Sequence, residues 1–271
     1  MAERIIRGMD MVRVSACSFP LRKEPLEYTL DVIAGAGFRK VDLLGVDGHF
    51  PPDAPDDRVD ALAQLAGARG LRIANLGTYY GRPLPGTAEE TEAEVALARR
   101  GLDAARRLGA RSLRIHPGKD RSHETGFALV PFFRQVAREA EARGLLLGIE
   151  THGGLSSDAP AMMELCREVG SPAFGVLFDP CNCAANGVDY RAAWETFHER
   201  VVHVHLKDGR MGADGKWARV HLGQGEIDAP WLLRELDRAG YSGDIALEYE
   251  VNEIEPPETG LARWRAVCEA L

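Results

Sequence analysis

Four residues of the kind that bind divalent cations stand at the ends of four apolar runs, in order along the chain. They are Glu150 in GLLLGIETH, Asp179 in FGVLFDP, His205 in RVVHVHLKD and Glu248 in DIALEYE. A short run that is apolar on both parities reads as a β-strand buried on both faces, so a polar residue at its end is the exception that carries information. Successive strand side chains point to opposite faces. Glu150 therefore shares a face with Gly148 and Leu146, and Asp179 with Leu177 and Gly175. His203 and His205 point one way while Val202, Val204 and Leu206 point the other, and Glu248 shares a face with Glu250. Carboxylates crowded into one place disfavour each other's ionisation, and a divalent cation among them removes the conflict. Glu150, Asp179, His205 and Glu248 are accordingly the expected ligands of one metal ion. Three carboxylates and one imidazole form a hard donor set, which favours Mn2+, with Mg2+, Co2+ or Zn2+ as alternatives.

The elements that must position these residues follow a repeat. A stretch rich in Ala, Leu, Glu and Arg ends at a glycine, and a short apolar run follows: AGAGFRKVDLLG (34–45), AGARGLRIANLG (66–77), ARRLGARSLRIHPG (105–118), EARGLLLGIETHGG (141–154), REVGSPAFGVLFDP (167–180) and DRAGYSGDIALEYE (237–250). Glycine just past a helix adopts the left-handed conformation without a Cβ penalty. With RVSACSF (13–19) and RVVHVHLKD (200–208) added, eight strands alternate with helices. Helices are expected at 88–108, with Val95, Leu102, Ala105 and Leu108 on one face, at 130–143 and at 158–169, the last with Ser157 or Asp158 as N-cap. The expected fold is α/β, a single-domain (β/α)8 TIM barrel over residues 13–271 behind an N-terminal extension at 1–12. The chain of 271 residues suits it, since such barrels typically take about 250. The structural alternative is a doubly wound open sheet, which usually carries a Gly-rich first turn; SACSFPLRKEP has none. Pro and Gly cluster at 51–55, 81–86 and 153–160, where the loops after strands two, three and five would build an active site.

Composition narrows the partners. The formal net charge is −8, which argues against a non-specific nucleic-acid binder. No apolar run reaches membrane-spanning length, and the charged start MAERIIRGMDMVRV is unlike a signal peptide, so a cytoplasmic location is expected. The five cysteines are odd in number and thinly spread, which does not make a disulfide framework; Cys181 and Cys183 are expected to pack. A homo-oligomer, dimer or tetramer, is compatible with the sequence.

Residues 141–271 resemble the sugar phosphate isomerase/epimerase superfamily, the xylose-isomerase-like barrels, through IETHGG, FDPCN, HVHLKD, LGQGEID and ALEYE in family order; AGFRKVDL matches more weakly. The superfamily includes ketose epimerases, inosose dehydratases and hydroxypyruvate isomerases. The resemblance implies the same four metal ligands that strand parity gives. It also implies that Glu150 and Glu248 act as base and acid on opposite faces of a sugar, through a metal-stabilised cis-enediolate. One departure is Asn182, three residues after the strand-six Asp, where ketose epimerases commonly carry His; Asn cannot shuttle a proton near neutral pH.

His116, His152, Asn182, Lys207 and Arg210 are the expected substrate contacts, with His203 behind the metal ligand and Glu250 paired to a base. Phe19, Tyr79 and Trp217 are candidate walls of a sugar pocket, and GQG (223–225) reads as a turn rather than a nucleotide loop. The expected activity is a metal-dependent isomerase or epimerase of a sugar, cyclitol or related keto compound. The alternative is a lyase or dehydratase of the same superfamily, and a catalytically silent sugar-binding barrel is a third class.

Overall fold

A computed structural model describes residues 10–83 and 86–271. Residues 1–9 of the expected extension, and residues 84 and 85 of the third loop, lie outside the described residues. The barrel strands are β1 (Val14–Cys17), β2 (Lys40–Leu44), β3 (Arg72–Gly77), β4 (Ser112–Ile115), β5 (Leu146–Glu150), β6 (Phe174–Phe178) and β7 (Val201–Leu206), then β10 (Ile245–Leu247) as the eighth. Each pairs in parallel with its neighbour, and β10 closes the ring between β7 and β1. A short antiparallel hairpin, β8 (Asp208–Met211) and β9 (Trp217–Val220), is inserted between the seventh and eighth barrel strands.

The helices are α1 (Leu26–Gly35), α2 (Asp56–Gly67), α3 (Ala88–Arg107), α4 (His123–Ala128), α5 (Val130–Ala142), α6 (Ala159–Val169), α7 (Pro180–Ala185), α8 (Tyr190–Phe197), α9 (Ala229–Arg238) and α10 (Pro257–Ala270). The expected helices at 88–108, 130–143 and 158–169 are α3, α5 and α6. On α3, Val95, Leu102 and Ala105 are buried as the periodicity requires, and Leu108 is half-buried at the C-cap. Burying such a side chain contributes roughly 1.5–3 kcal/mol for a Val or Leu. Thr87 and Glu90 form a reciprocal capping box that starts α3, and Asp158 caps α6 by accepting from Ala161 N at 3.1 Å.

Strict alternation fails in β3 and in β7. In β3, Val41 pairs with Ile73 and Asp42 with Asn75, so Ala74 is an extra residue. The other case is β7. Val176 pairs with Val201 and the next residue, Leu177, pairs with His203, so Val202 is an extra residue in β7. Its methyls sit where the Cβ of Gly148 or Gly175 would be, at 2.9 and 3.0 Å. Val202 thus fills the interior beside two glycines instead of pointing opposite His203, as alternation alone would have it. A Cβ at Gly175 would also lie 2.0 Å from Arg200 O, so the close approach of β6 to β7 needs glycine there.

Candidate metal centre

The C-terminal ends of β5, β6, β7 and β10 converge on one buried cluster. One donor atom from each of Glu150, Asp179, His205 and Glu248 lies within 4.8 Å of every other. Each is carried there by a different device. Glu150 ends β5. Asp179 follows β6 and caps α7, its Oδ1 accepting from Asn182 N at 2.8 Å. Glu248 directly follows β10, its N–H bonded to Leu206 O. His205, inside β7, is oriented by Asp42 from the far wall.

The second set, Asp42, His203 and His205, also brings donor atoms within 4.8 Å, but hydrogen bonds account for it. Asp42 Oδ2 is 2.9 Å from both His203 Nε2 and His205 Nε2, and Asp42 Oδ1 accepts from Asn75 Nδ2 at 3.0 Å. Burial opposes ionisation of Asp42, yet its hydrogen bonds to His203 and His205 hold it far below the usual carboxylate range. An ionised carboxylate only accepts, so both imidazoles direct an Nε2–H at it. That leaves His205 Nδ1 turned towards Glu150 Oε1 at 3.2 Å and Glu248 Oε2 at 3.5 Å. A ring held through one nitrogen so that the other faces carboxylates is the arrangement of a metal-ligating histidine.

Two cations stabilise the glutamates. Arg114, buried on β4, donates to Glu150 Oε2 at 2.7 Å and to Gly77 O at 3.1 Å, and lies 4.7 Å from the centre of the Tyr79 ring. Lys207 is 1% exposed and pairs with Glu248, with Glu250 at 3.1 Å and with Asp179 Oδ2 at 3.0 Å. Burial opposes ionisation of Glu150, but Arg114 and His205 keep it well below the ordinary range. Glu248, also penalised by burial, is brought down to about 2 by Lys207 and His205.

Asp179 behaves differently. Burial raises its pKa, and the charges of Glu248 and Glu150 add to this against the pull of Lys207. Its Oδ2 is buried without a hydrogen bond, because the Lys207 ammonium is close but poorly aligned. Around the cluster the carboxylates of Asp42, Glu150, Asp179, Glu248 and Glu250 face Arg114, Lys207 and Arg219. Carboxylates thus outnumber the arginine and lysine partners there, and, against the burial that opposes its charge, the acids around His205 push its imidazole well above the ordinary range. The orphaned Asp179 oxygen and this excess of carboxylates fit a metal held by Glu150, Asp179, His205 and Glu248.

The other expected site residues divide. His116, 8% exposed, and the exposed His152 line the mouth with Phe19 and Tyr79. Lys207 lines it too, as a buried ion-pair partner rather than a residue of a solvated loop. Asn182 is 1% exposed and locked, donating to Glu150 Oε1 at 3.3 Å and accepting from Arg219 Nη2 at 3.0 Å; it buttresses Glu150 from outside the pocket lining. Arg210 is exposed on β8, outside the lining, because the hairpin turns it away from the mouth. Trp217 packs over Gly209 in that hairpin instead of lining the pocket. Glu250 pairs with Arg219 at 2.8 Å as well as with Lys207, and all five cysteines are buried and free.

Sequence reasoning missed Asp42 as the anchor of both histidines, Arg114 and Arg219. Arg114 carried a readable signal: it is a charged residue inside an apolar strand, on the same parity as His116. Arg219 carried none, since its place depends on the hairpin.

The chain is 26% identical over 255 residues to the rhizopine catabolism protein MocC of Rhizobium meliloti, covering 83% of this chain and 75% of that one. It is 27% identical over 244 residues to a putative hydroxypyruvate isomerase of Streptomyces coelicolor, covering 80% and 82%. Against the uncharacterized protein MJ1311 of Methanocaldococcus jannaschii the match is 26% over 120 residues, 42% of this chain and only 40% of that protein's length. Among solved structures, a xylose isomerase domain protein from Alicyclobacillus acidocaldarius superposes with a TM-score of 0.77 at 25% identity, over 95% of this chain and 97% of that one. The sequence pattern of the xylose isomerase-like TIM barrel matches residues 30–269, and with the closed barrel and its acidic mouth this shows that the chain belongs to the xylose isomerase-like TIM-barrel family.

Proposed function

We propose that this protein is a divalent-metal-dependent isomerase or epimerase of a sugar, cyclitol or related keto compound, acting in the cytoplasm with Mn2+ as the preferred ion. The observation that carries this reading is the placement of two ionised glutamates about one imidazole. Glu150 and Glu248 approach His205 Nδ1 from β5 and from the end of β10, strands separated in the barrel wall by β6 and β7, and both line the same pocket. Each has its own cation, Arg114 or Lys207, so neither needs the other's proton to exist buried. A divalent ion held by the four ligands would supply Lewis acidity to a carbonyl and its neighbouring hydroxyl, making the hydrogen beside the carbonyl acidic. One glutamate would then take that hydrogen as a proton, and the other would return one to the opposite face.

A second reading, a lyase, is favoured by Asn182. Its amide is fixed between Glu150 and Arg219, so no third proton carrier stands where ketose epimerases commonly have His. Elimination needs one base and a departing hydroxyl.

The test is a screen of ketoses, inososes and keto-glycosides with Mn2+ in deuterated water. Deuterium entering the product without loss of water marks the isomerase, and an unsaturated or deoxy-keto product marks the lyase. Glu150→Gln and Glu248→Gln are each expected to lower exchange of the substrate's α-hydrogen by about 100-fold or more at saturating metal, the scale of a lost general base. Exchange at the wild-type rate in both variants would rule out the two-carboxylate reading.

A further inference from the structure

The pocket lining has two chemically different parts. In one, Glu150, Glu248 and Glu250 are already paired with Arg114 and Lys207; the other end of the lining is His116 and Arg121 from the segment after β4. The Arg121 guanidinium forms no ion pair with a carboxylate among the described residues. Its neighbour Asp120 is turned elsewhere, accepting from Ser122 N at 3.0 Å and Thr125 Oγ1 at 3.0 Å. Arg82, stacked 5.4 Å from the Tyr79 ring centre, likewise has no carboxylate partner among the described residues. Arg121 is held with care: its φ of 55° is a left-handed conformation uncommon for a residue with a side chain. Its carbonyl accepts from Leu155 N at 2.9 Å, and it packs against Gly154, where a Cβ would lie 2.2 Å from Arg121 O. Backbone strain kept at a pocket wall is a feature of ligand-binding positions. His116 lines the pocket beside Tyr79, the two ring centres 6.2 Å apart; it is more than nine-tenths buried, with an Nδ1 that has no hydrogen-bond partner. An orphaned buried nitrogen in the same lining as an unpaired guanidinium is what an oxyanion would satisfy.

We propose that this end of the pocket binds an anionic group of the substrate, a carboxylate or a phosphate, through Arg121 and His116 with Arg82 at the rim, while the keto end faces the glutamates. The inference rests on the proposed function and narrows its substrates to anionic keto compounds. The cavity, about 100 Å3, is small beside the roughly 300–1,000 Å3 of pockets for drug-sized ligands, which favours a compact substrate. A guanidinium offers two parallel N–H donors to either oxyanion, and neutral His116 adds a hydrogen bond without demanding a second proton.

Three probes share one hydroxyketone and differ only in the far group: dihydroxyacetone, hydroxypyruvate and dihydroxyacetone phosphate. Their binding to the Mn2+-loaded protein is read by calorimetry. At least one anionic probe should bind about 10-fold or more tightly than dihydroxyacetone, and whichever of the two leads identifies carboxylate or phosphate. Arg121→Asn, a residue that tolerates the left-handed backbone, should bring the anionic advantage to within about twofold while leaving dihydroxyacetone binding unchanged, and Arg121→Lys should keep part of it. Equal affinity for all three probes in the wild type, or an anionic advantage that survives in an Arg82→Gln, Arg121→Asn double variant, would overturn the proposal. Failure of the metal reading looks different: dihydroxyacetone would then bind equally well with and without Mn2+.

Discussion

Asp42 shows how a residue outside the pocket lining can govern the metal centre. Its single Oδ2 aligns His203 and His205, residues 161 and 163 positions away in sequence, and so selects the nitrogen that His205 presents to Glu150 and Glu248. Asp42→Asn replaces an ionised acceptor with an amide that cannot fix both rings in that state. Mn2+ affinity is expected to fall about 10- to 100-fold, the usual effect of losing such a partner, while the fold persists. Unchanged affinity in a Mn2+ titration would show that His205 is placed by its strand alone. His116 gives a second residue-scale test. Burial, with Arg121, Arg114 and Arg82 nearby, pushes its pKa down to about 4, against about 6.5 for a free imidazole. The folded protein then binds fewer protons than the unfolded chain between those values, so this contribution to stability is present above about pH 6.5 and is lost as pH falls towards 4. Between pH 7 and pH 4.5 the wild type should lose about 1–2 kcal/mol more stability than His116→Gln in urea unfolding. Parallel losses would show that His116 is not held neutral. That Glu150, Asp179, His205 and Glu248 would come together was legible in sequence because each stands at the end of an apolar run. Asp42 was visible as a polar strand residue, but its role was not, since nothing local reveals which strand faces it across a closed barrel.

The segment between β9 and α9 is organised by one buried carboxylate. Asp208 Oδ1 accepts from Gly209 N at 2.8 Å and Ile227 N at 3.1 Å, and Oδ2 accepts from Gly223 N at 2.9 Å and Gly225 N at 2.8 Å. A Cβ at Gly225 would sit 2.1 Å from Asp208 Oδ1, so the chain can wrap the carboxylate only with glycine there. The GQG stretch is thus a turn around an acid, as its composition suggested; that the acid is Asp208 was not readable, because the hairpin between them has no distinctive pattern. Asp208→Ala leaves four N–H groups without their acceptor, those of Gly209 and Ile227 in buried surroundings and those of Gly223 and Gly225 partly open to water, and a loss of about 2 kcal/mol is expected. Hydrogen exchange should accelerate at Gly223, Gly225 and Ile227 before it does in the barrel strands. Unaltered exchange there would contradict this role. The helix–glycine–strand rhythm was read correctly because each barrel strand is a short local run. The extra residue in β7 was not, since Val202 is as apolar as its neighbours and only the glycines facing it, Gly148 and Gly175, explain why the bulge fits.

The whole molecule separates stability from the mouth. Parallel pairing from β1 round to β10 and the apolar packing of the helices close the barrel without the metal ligands. Arg114 and Lys207 already offset much of the ligands' negative charge. Treatment with EDTA should therefore abolish turnover while leaving the far-UV circular dichroism native-like, with only the modest fall in melting temperature that loss of a bound ligand brings. Collapse of the spectrum would make the site a structural one. The most direct test of the metal centre is a Mn2+ titration, followed by electron paramagnetic resonance, of the wild type and of Asp179→Asn and His205→Ala, each checked for a native-like spectrum. The wild type should bind one Mn2+ per chain, and both variants should bind at least about 10-fold more weakly. Variants that fold and take up Mn2+ with wild-type affinity and stoichiometry would contradict a metal held by Glu150, Asp179, His205 and Glu248.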